Sequence, residues 1–186
     1  AEIQGGAKRN LKQEYQFFET PANLADEMAA MLPVPLNEES RVLEPSAGRG
    51  ALVRAIHRKY PDVGVDVYEL MPTNVVFLLS EVSGIDFMGE DFLAGKPMPV
   101  YDAIIANPPF SKNQDIDHFL RMCEWLKPGG TVVCIMSNHW RIASNKKETD
   151  FRTWLDDQDA TIQDIPPGTF KDSGTNISAC LVILSK

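Results

Sequence analysis

Short apolar runs and amphipathic stretches alternate along most of this chain, and their order predicts its architecture. In A-N-L-A-D-E-M-A-A-M-L, residues Leu24, Met28, Met31 and Leu32 fall on one helical face. That helix is expected to begin at Thr20 and Pro21, with the threonine hydroxyl as N-cap and the proline at the first helical position. Beyond Pro33 and Pro35 the pattern changes. R-V-L-E-P reads as a strand, L-V-R-A-I-H-R-K-Y as a helix, V-G-V-D-V-Y-E-L as a strand and T-N-V-V-F-L-L-S-E-V as a helix. After I-D-F-M-G-E-D-F come the strand Y-D-A-I-I-A-N, a helix around D-H-F-L-R-M-C-E-W-L and the strand T-V-V-C-I-M-S. Such alternation predicts an α/β fold, a parallel sheet with helices on both faces. A-T-I-Q-D-I and I-S-A-C-L-V-I-L add two strands, expected as a hairpin at one end of the sheet. Ligands in such sheets bind beyond the carboxyl ends of the strands. E-P-S-A-G-R-G, Y-E-L, E-D-F and N-P-P-F are therefore expected along one rim, although they are scattered in sequence.

A chain of 186 residues, 44% of them hydrophobic, suits one globular domain with a substantial core. Residues 1–14 read as a flexible arm and 15–186 as the domain. No apolar stretch approaches the roughly 20 residues that span a bilayer, and A-E-I-Q-G-G-A-K-R-N lacks the apolar segment of a secretion signal. A soluble, cytoplasmic protein with no membrane partner is expected. Cys123, Cys134 and Cys180 are odd in number, widely spaced and set among apolar residues, so they are expected as reduced core residues, with no metal site. A net charge of -8 works against unaided binding to a polyanion, because nucleic-acid affinity comes largely from Lys and Arg displacing counterions. Basic residues do gather locally, at Lys8, Arg9 and Lys12 and again at Arg141, Lys146 and Lys147.

The turn from Glu44 to Gly50 follows a strand and opens a helix, so its glycines let the backbone turn tightly against a ligand. Glu69 ends the next strand about 20 residues on, where a carboxylate can accept hydrogen bonds from both hydroxyls of a ribose. Val53 stands where a dinucleotide fingerprint would place its third glycine, and no Gly-Lys-Ser or Gly-Lys-Thr marks a phosphate loop. Asp91 and Phe92 end the strand after that. There a carboxylate can receive an exocyclic amine and a ring can flank a purine, so the strand ends together describe an adenosine-shaped slot.

In that order, F-F-E-T-P, V-L-E-P-S-A-G-R-G, V-Y-E-L, G-E-D-F-L and A-N-P-P-F resemble the S-adenosylmethionine-dependent amino-methyltransferases, above all the adenine-N6 DNA methyltransferases whose cofactor motifs precede the catalytic one. The resemblance spans residues 15–185. It implies a Rossmann-like class I fold, a mostly parallel seven-stranded sheet with a C-terminal antiparallel hairpin. It also implies that Phe18, Thr20 and the turn of Glu44, Pro45, Ser46, Ala47, Gly48 and Gly50 hold the methionine end of S-adenosylmethionine. Glu69 with Leu70 would bind the ribose, Asp91 with Phe92 the adenine, and Asn107 would adjoin the cofactor as well as the substrate.

Methyl transfer to an exocyclic amine is hindered because the amine lone pair is delocalised into its base. Two acceptors can fix that amine: the side-chain oxygen of Asn107 and the main-chain oxygen of Pro108. Pro109 stiffens the turn by fixing its own φ and restricting Pro108 before it. Phe110 can stack on the base. Such catalysis would rest on positioning and on stabilising developing charge. A paired base must be flipped out or already single stranded to reach the turn. The tail P-P-G-T-F-K-D-S-G-T-N-I-S resembles the family's late motif, which makes Phe170 the candidate for the opposite face of the base; a place in the core is the alternative. Lys112, and Arg141, Lys146 and Lys147 in a long polar loop S-N-H-W-R-I-A-S-N-K-K-E, are expected to touch phosphates.

No separate target-recognition domain is expected, so base recognition would be short and made by loops, or supplied by a separate specificity subunit. Two rivals remain. RNA or protein-glutamine methyltransferases also use Asn-Pro-Pro-aromatic, and an inactive cofactor-binding subunit of a modification complex would share the upstream motifs.

Overall fold

The alternating runs build one seven-stranded sheet from β1 (Val42–Glu44), β2 (Val65–Tyr68), β3 (Ile85–Gly89), β4 (Tyr101–Ala106), β5 (Leu126–Ser137), β6 (Thr161–Asp164) and β7 (Ala179–Ser185). The structure, a computed structural model, describes residues 18–33 and 35–186. The expectations for the arm of residues 1–14 and for Lys8, Arg9 and Lys12 lie outside the described residues. The helices are α1 (Ala22–Ala30), α2 (Ala51–Lys59), α3 (Pro72–Glu81), α4 (Gln114–Trp125), α5 (His139–Ile142) and α6 (Lys146–Asp157).

Strand order is β3-β2-β1-β4-β5-β7-β6. β1 to β5 run parallel, and β7 pairs antiparallel with both β5 and β6. This is the mostly parallel class I methyltransferase sheet, with an antiparallel pair at its C-terminal end. The expected hairpin differs in one respect. β7 inserts between β5 and β6, and residues 165–178 connect the pair where a tight turn would otherwise do so.

Burial on both faces explains why the strands read as continuous apolar runs. Successive side chains alternate faces. Val42, Ala103, Ile105, Val133 and Ile135 pack with α1 and α2 through Leu24, Met28, Leu52, Val53 and Ile56. Leu43, Ile104, Ala106, Val132, Cys134 and Met136 pack on the other side against Ile116, Phe119, Met122 and Trp125 of α4 and Phe151 of α6. Cys134 and Cys180 are buried free thiols, and Cys123 is a half-buried one. β5 begins earlier than its apolar run suggests, at Leu126, because Gly130 lets the strand press against Leu126 and the Tyr101 carbonyl; a Cβ there would lie 2.8 Å from both.

From β1 the chain steps outward to β2 and β3, then returns to β4 on the opposite flank of β1. The order therefore reverses between β1 and β4, and a crevice opens at their carboxyl ends. Glu44 ends β1 and Asn107 follows β4, so the topology brings these two residues to one opening. Among the described residues, no helix is long and apolar enough to cross a membrane.

Candidate active site

A cleft of about 270 Å³ occupies that crevice, and every strand end from β1 to β4 contributes to it. Of the residues expected at a cofactor site, Phe18, Thr20, Glu44, Pro45, Ser46, Ala47, Gly48, Glu69, Leu70, Asp91, Phe92 and Asn107 line it, together with Pro109. Gly50, Pro108 and Phe110 are not in its lining.

The glycine turn is held from several sides. The Ala47 N–H donates to the Tyr68 carbonyl at 2.9 Å, and the Gly48 N–H donates to Oε1 of Glu69 at 3.0 Å. Gly48 and Gly50 have φ of 57° and 87°, a left-handed geometry that disfavours other residues. A Cβ on Gly50 would also come within 2.9 Å of Val82. The turn thus delivers the N-terminus of α2 to the cleft wall. Oε2 of Glu69 accepts from the Met71 N–H at 2.8 Å and from Nδ2 of Asn74 at 3.3 Å. Burial raises the Glu69 pKa, and these three donors oppose the rise.

Glu44 is the most exceptional group of the site. It is 1% exposed, and its Oε2 has no hydrogen-bond partner among the described residues. Burial, and then the neighbouring charge of Glu69, push its pKa well above the usual carboxylate range; a hydrogen bond from the Ser46 backbone acts against them. A buried carboxylate in the lining of a cleft is suited to a cationic ligand.

Asn107 is oriented by the segment before α1. Its Nδ2 donates to the Phe18 carbonyl and to Oγ1 of Thr20, each at 3.1 Å. A carbonyl can only accept, so Nδ2 must face Phe18, and Oδ1 occupies the other branch of the amide. This corrects the expected role of Thr20 in the helix. Pro21 is the N-cap of α1 with no side-chain cap, and the threonine hydroxyl serves Asn107.

At the far end, the Asp91 side chain accepts from the Leu93 N–H at 3.1 Å, capping the 3₁₀ turn Phe92–Ala94. Phe92 is buried among Tyr68, Trp125 and His118. Gln114 and His118 of α4 also line the cleft, as do Glu19, Arg49, Met71 and Leu93. Sequence reasoning singled out none of these six, although Arg49 lies within the Glu44 to Gly50 turn expected at the cofactor. For Gln114 and His118 a signal existed, since their spacing of four puts them on one helical face, but which face meets the cleft depends on how α4 packs.

The expected phosphate contacts are arranged differently from the sequence reading. Instead of one long polar loop, residues 138–147 form α5 and the start of α6, with Trp140 buried against Phe151. Arg141 pairs with Asp164 at 2.6 Å, Lys146 with Asp150 at 2.5 Å and Lys147 with Asp117 at 2.9 Å. The acidic partners offset the positive charge of this rim. Lys112 is exposed just past Phe110, and it and Asn113 are consecutive left-handed residues with φ of 56° and 58°. The Asn113 amide is tied to Glu148 of α6 at 3.0 Å. Phe170, expected to stack on a base, is 2% exposed and packs in the core with Ile165, Ala179 and Leu181. Apolar burial takes that ring inward, the core alternative. Among the described residues, no group of His, Cys, Asp and Glu is arranged to hold a metal.

Residues 23–154 match the family model described as methyltransferase small domain. A curated relative, the type II methyltransferase M.AccI of Acinetobacter calcoaceticus, is 29% identical over 110 residues, which are 58% of this chain and 20% of that protein. Among solved structures, a modification subunit of a putative type I restriction enzyme from Vibrio vulnificus YJ016 superposes with a TM-score of 0.69 at 15% identity, covering 95% of this chain and 46% of that one. A type I restriction-modification methyltransferase subunit from Streptococcus thermophilus gives the same TM-score of 0.69 at 18% identity, covering 95% and 47%. An rRNA methylase from Streptococcus thermophilus gives 0.59 at 13%, covering 91% and 98%. At such identities the superpositions establish the fold. The chain spans about a fifth of the curated relative and less than half of the two restriction-modification structures.

Proposed function

The chain belongs to the methyltransferase small domain family, and from that premise we propose that it transfers a methyl group from S-adenosylmethionine to the N6 amine of adenine in DNA, with the base flipped out or single stranded. The observation that carries this reading is the anchored amide of Asn107. Two acceptors hold Nδ2, so Oδ1 keeps one orientation at the mouth of the β1/β4 crevice.

The residues present fit the cofactor. Its sulfonium and ammonium groups suit the carboxylate of Glu44, its ribose hydroxyls suit Glu69, and its adenine amine suits Asp91. The bound cofactor supplies an electrophilic methyl group. The chain's own part is positional. Oδ1 of Asn107 and the carbonyl oxygen of Pro108 each take one N–H of the target amine, which directs the nitrogen lone pair toward the methyl group. Pro109 limits the freedom of that turn, and the half-buried Phe110 is the surface offered to the flat base. No strong general base is needed, because the amine becomes acidic only as its bond to carbon forms; its proton would then pass to water, and the cofactor would leave as S-adenosylhomocysteine.

The chemical class of acceptor rests on N-P-P-F and on the N-terminal F-F-E-T-P segment, whose Phe18 and Thr20 hold Asn107. Acidic net charge and the paired state of Arg141, Lys146 and Lys147 favour a partner that supplies much of the DNA affinity, such as a specificity subunit. The test is incubation with methyl-labelled cofactor and separate DNA, RNA and protein pools, followed by nucleoside mass spectrometry. Label in DNA as N6-methyladenine is expected. Label confined to RNA or protein would overturn the assignment.

A further inference from the structure

Glu148 is a buried carboxylate that the reaction just described does not use. It stands in the first turn of α6, where a carboxylate favours the helix dipole but is ordinarily left in water. Here it is 2% exposed, and three elements converge on it. Its Oε1 accepts from Nδ2 of Asn113 at 3.0 Å, in the turn that follows Phe110, and Nε2 of His139 in α5 lies 3.4 Å from the same oxygen. The Asn113 hydrogen bond, and then the residue's own backbone N–H, hold the Glu148 carboxyl below the usual carboxylate range, so it is ionised near pH 7. The turn it meets needs a restraint. Between Phe110 and α4 the chain makes the 3₁₀ turn Ser111–Asn113, in which Lys112 and Asn113 are both left-handed, with φ of 56° and 58°. Residues other than glycine disfavour that region, and asparagine tolerates it better than lysine. Two in succession are a conformation that the local sequence does not select, so contacts from outside the turn must hold it. A carboxylate can only accept, so the bond also fixes which way the Asn113 amide points.

We infer that Glu148 is a positioning residue for methyl transfer: through Asn113 it fixes the turn behind N-P-P-F, and with it the placing of Phe110 and of the Pro108 carbonyl against the acceptor. The inference rests on the reading of N-P-P-F as the acceptor-binding turn. Neither Glu148 nor Asn113 lines the cofactor cleft, so their effect belongs to the acceptor side of the reaction.

The test compares Glu148→Ala, Glu148→Gln, Asn113→Gly and the double variant Glu148→Ala with Asn113→Gly, each assayed well below its melting temperature. Glycine takes the left-handed turn without strain, so a slower Asn113→Gly reports the missing amide and not a distorted backbone. On whichever of the DNA, RNA and protein pools the parent methylates, Glu148→Ala and Asn113→Gly should each lower kcat/KM by about tenfold, and the double variant should fall no further, because all three lack the same bond. Glu148→Gln keeps an oxygen that accepts from Asn113 and should keep most of the rate. Calorimetry with S-adenosylhomocysteine should show parent affinity throughout. A lowered melting temperature with parent-like kcat/KM would make Glu148 a support of the fold alone and overturns the inference. So do losses that add in the double variant, a glutamine variant as slow as the alanine one, or a loss of cofactor affinity as large as the loss of rate. Should Glu148→Ala fail to fold, Asn113→Gly and Glu148→Gln are judged by the same criteria. If the parent methylates no pool, the functional reading fails and takes this inference with it; variants at the parent rate defeat this inference alone.

Discussion

Replacing Glu44 by glutamine should stabilise the unliganded protein and impair it with its cofactor. The carboxylate is 1% exposed with Oε2 unpaired, and burial is the main reason its pKa is raised. An unfolded glutamate titrates at about 4.3. Between that value and the raised pKa of the folded state, the folded protein holds the extra proton. Stability therefore falls as pH rises through this window, by up to about 1.4 kcal/mol per pH unit, and the loss is complete above the folded pKa. Glutamine removes the titration. Its Oε1 can still accept from the Ser46 backbone, and only a neutral amide is left to be satisfied. A buried unsatisfied polar group costs about 1–3 kcal/mol, more when charged, so the Glu44→Gln protein should gain about that much at neutral pH. For a domain of this size the gain corresponds to an increase of about 2–12 °C in melting temperature. Scanning calorimetry from pH 4 to pH 8 measures it. The gap between variant and parent should be near zero at the acid end and widen toward neutrality. With saturating S-adenosylmethionine the order reverses, because only the parent gains a cation beside its carboxylate, and the variant should bind the cofactor at least tenfold more weakly. A glutamine variant less stable than the parent at neutral pH, or a gap that does not vary with pH, would refute the reasoning.

Asn107→Ala should lower single-turnover methyl transfer by a factor of about 100 or more, and it should also weaken cofactor binding a few-fold, since Phe18 and Thr20 lose the amide that holds them; transfer at the parent rate would remove Asn107 from the mechanism. Asp91→Ala should both weaken cofactor binding and cost about 1 kcal/mol of stability through the lost cap on the Phe92–Ala94 turn. Calorimetry that shows parent affinity would take Asp91 out of the site. Phe170→Ala should destabilise the fold by about 3–5 kcal/mol as a buried aromatic is lost, whereas Phe170→Leu should keep most activity toward single-stranded and duplex substrates alike; a loss confined to duplex substrate would return Phe170 to a role on the flipped base.

Where the determinants were local, the sequence by itself determined the outcome. Alternation of apolar runs with amphipathic stretches specified the parallel sheet, because a strand covered on both faces has no polar side to show, as Ile104 and Ile105 illustrate by entering opposite cores. The strand-end motifs were legible for a related reason. A tight left-handed turn needs Gly48 and Gly50, and the two prolines after Asn107 restrict the backbone there. What only the tertiary structure decided were pairings between segments distant in the chain. Thr20 looked like a helix cap, a role set by neighbouring residues; its hydroxyl instead meets Asn107, 87 positions away. His118 and Gln114 reach the cleft because α4 packs against the turn at Phe92, and the cationic rim is offset because Asp117 and Asp164 fold up beside Lys147 and Arg141. Phe170 is an aromatic after a Pro-Pro-Gly turn whether it faces a base or the core. The core it joins, with Ile165, Ala179 and Leu181 among its members, exists only once the strands are assembled.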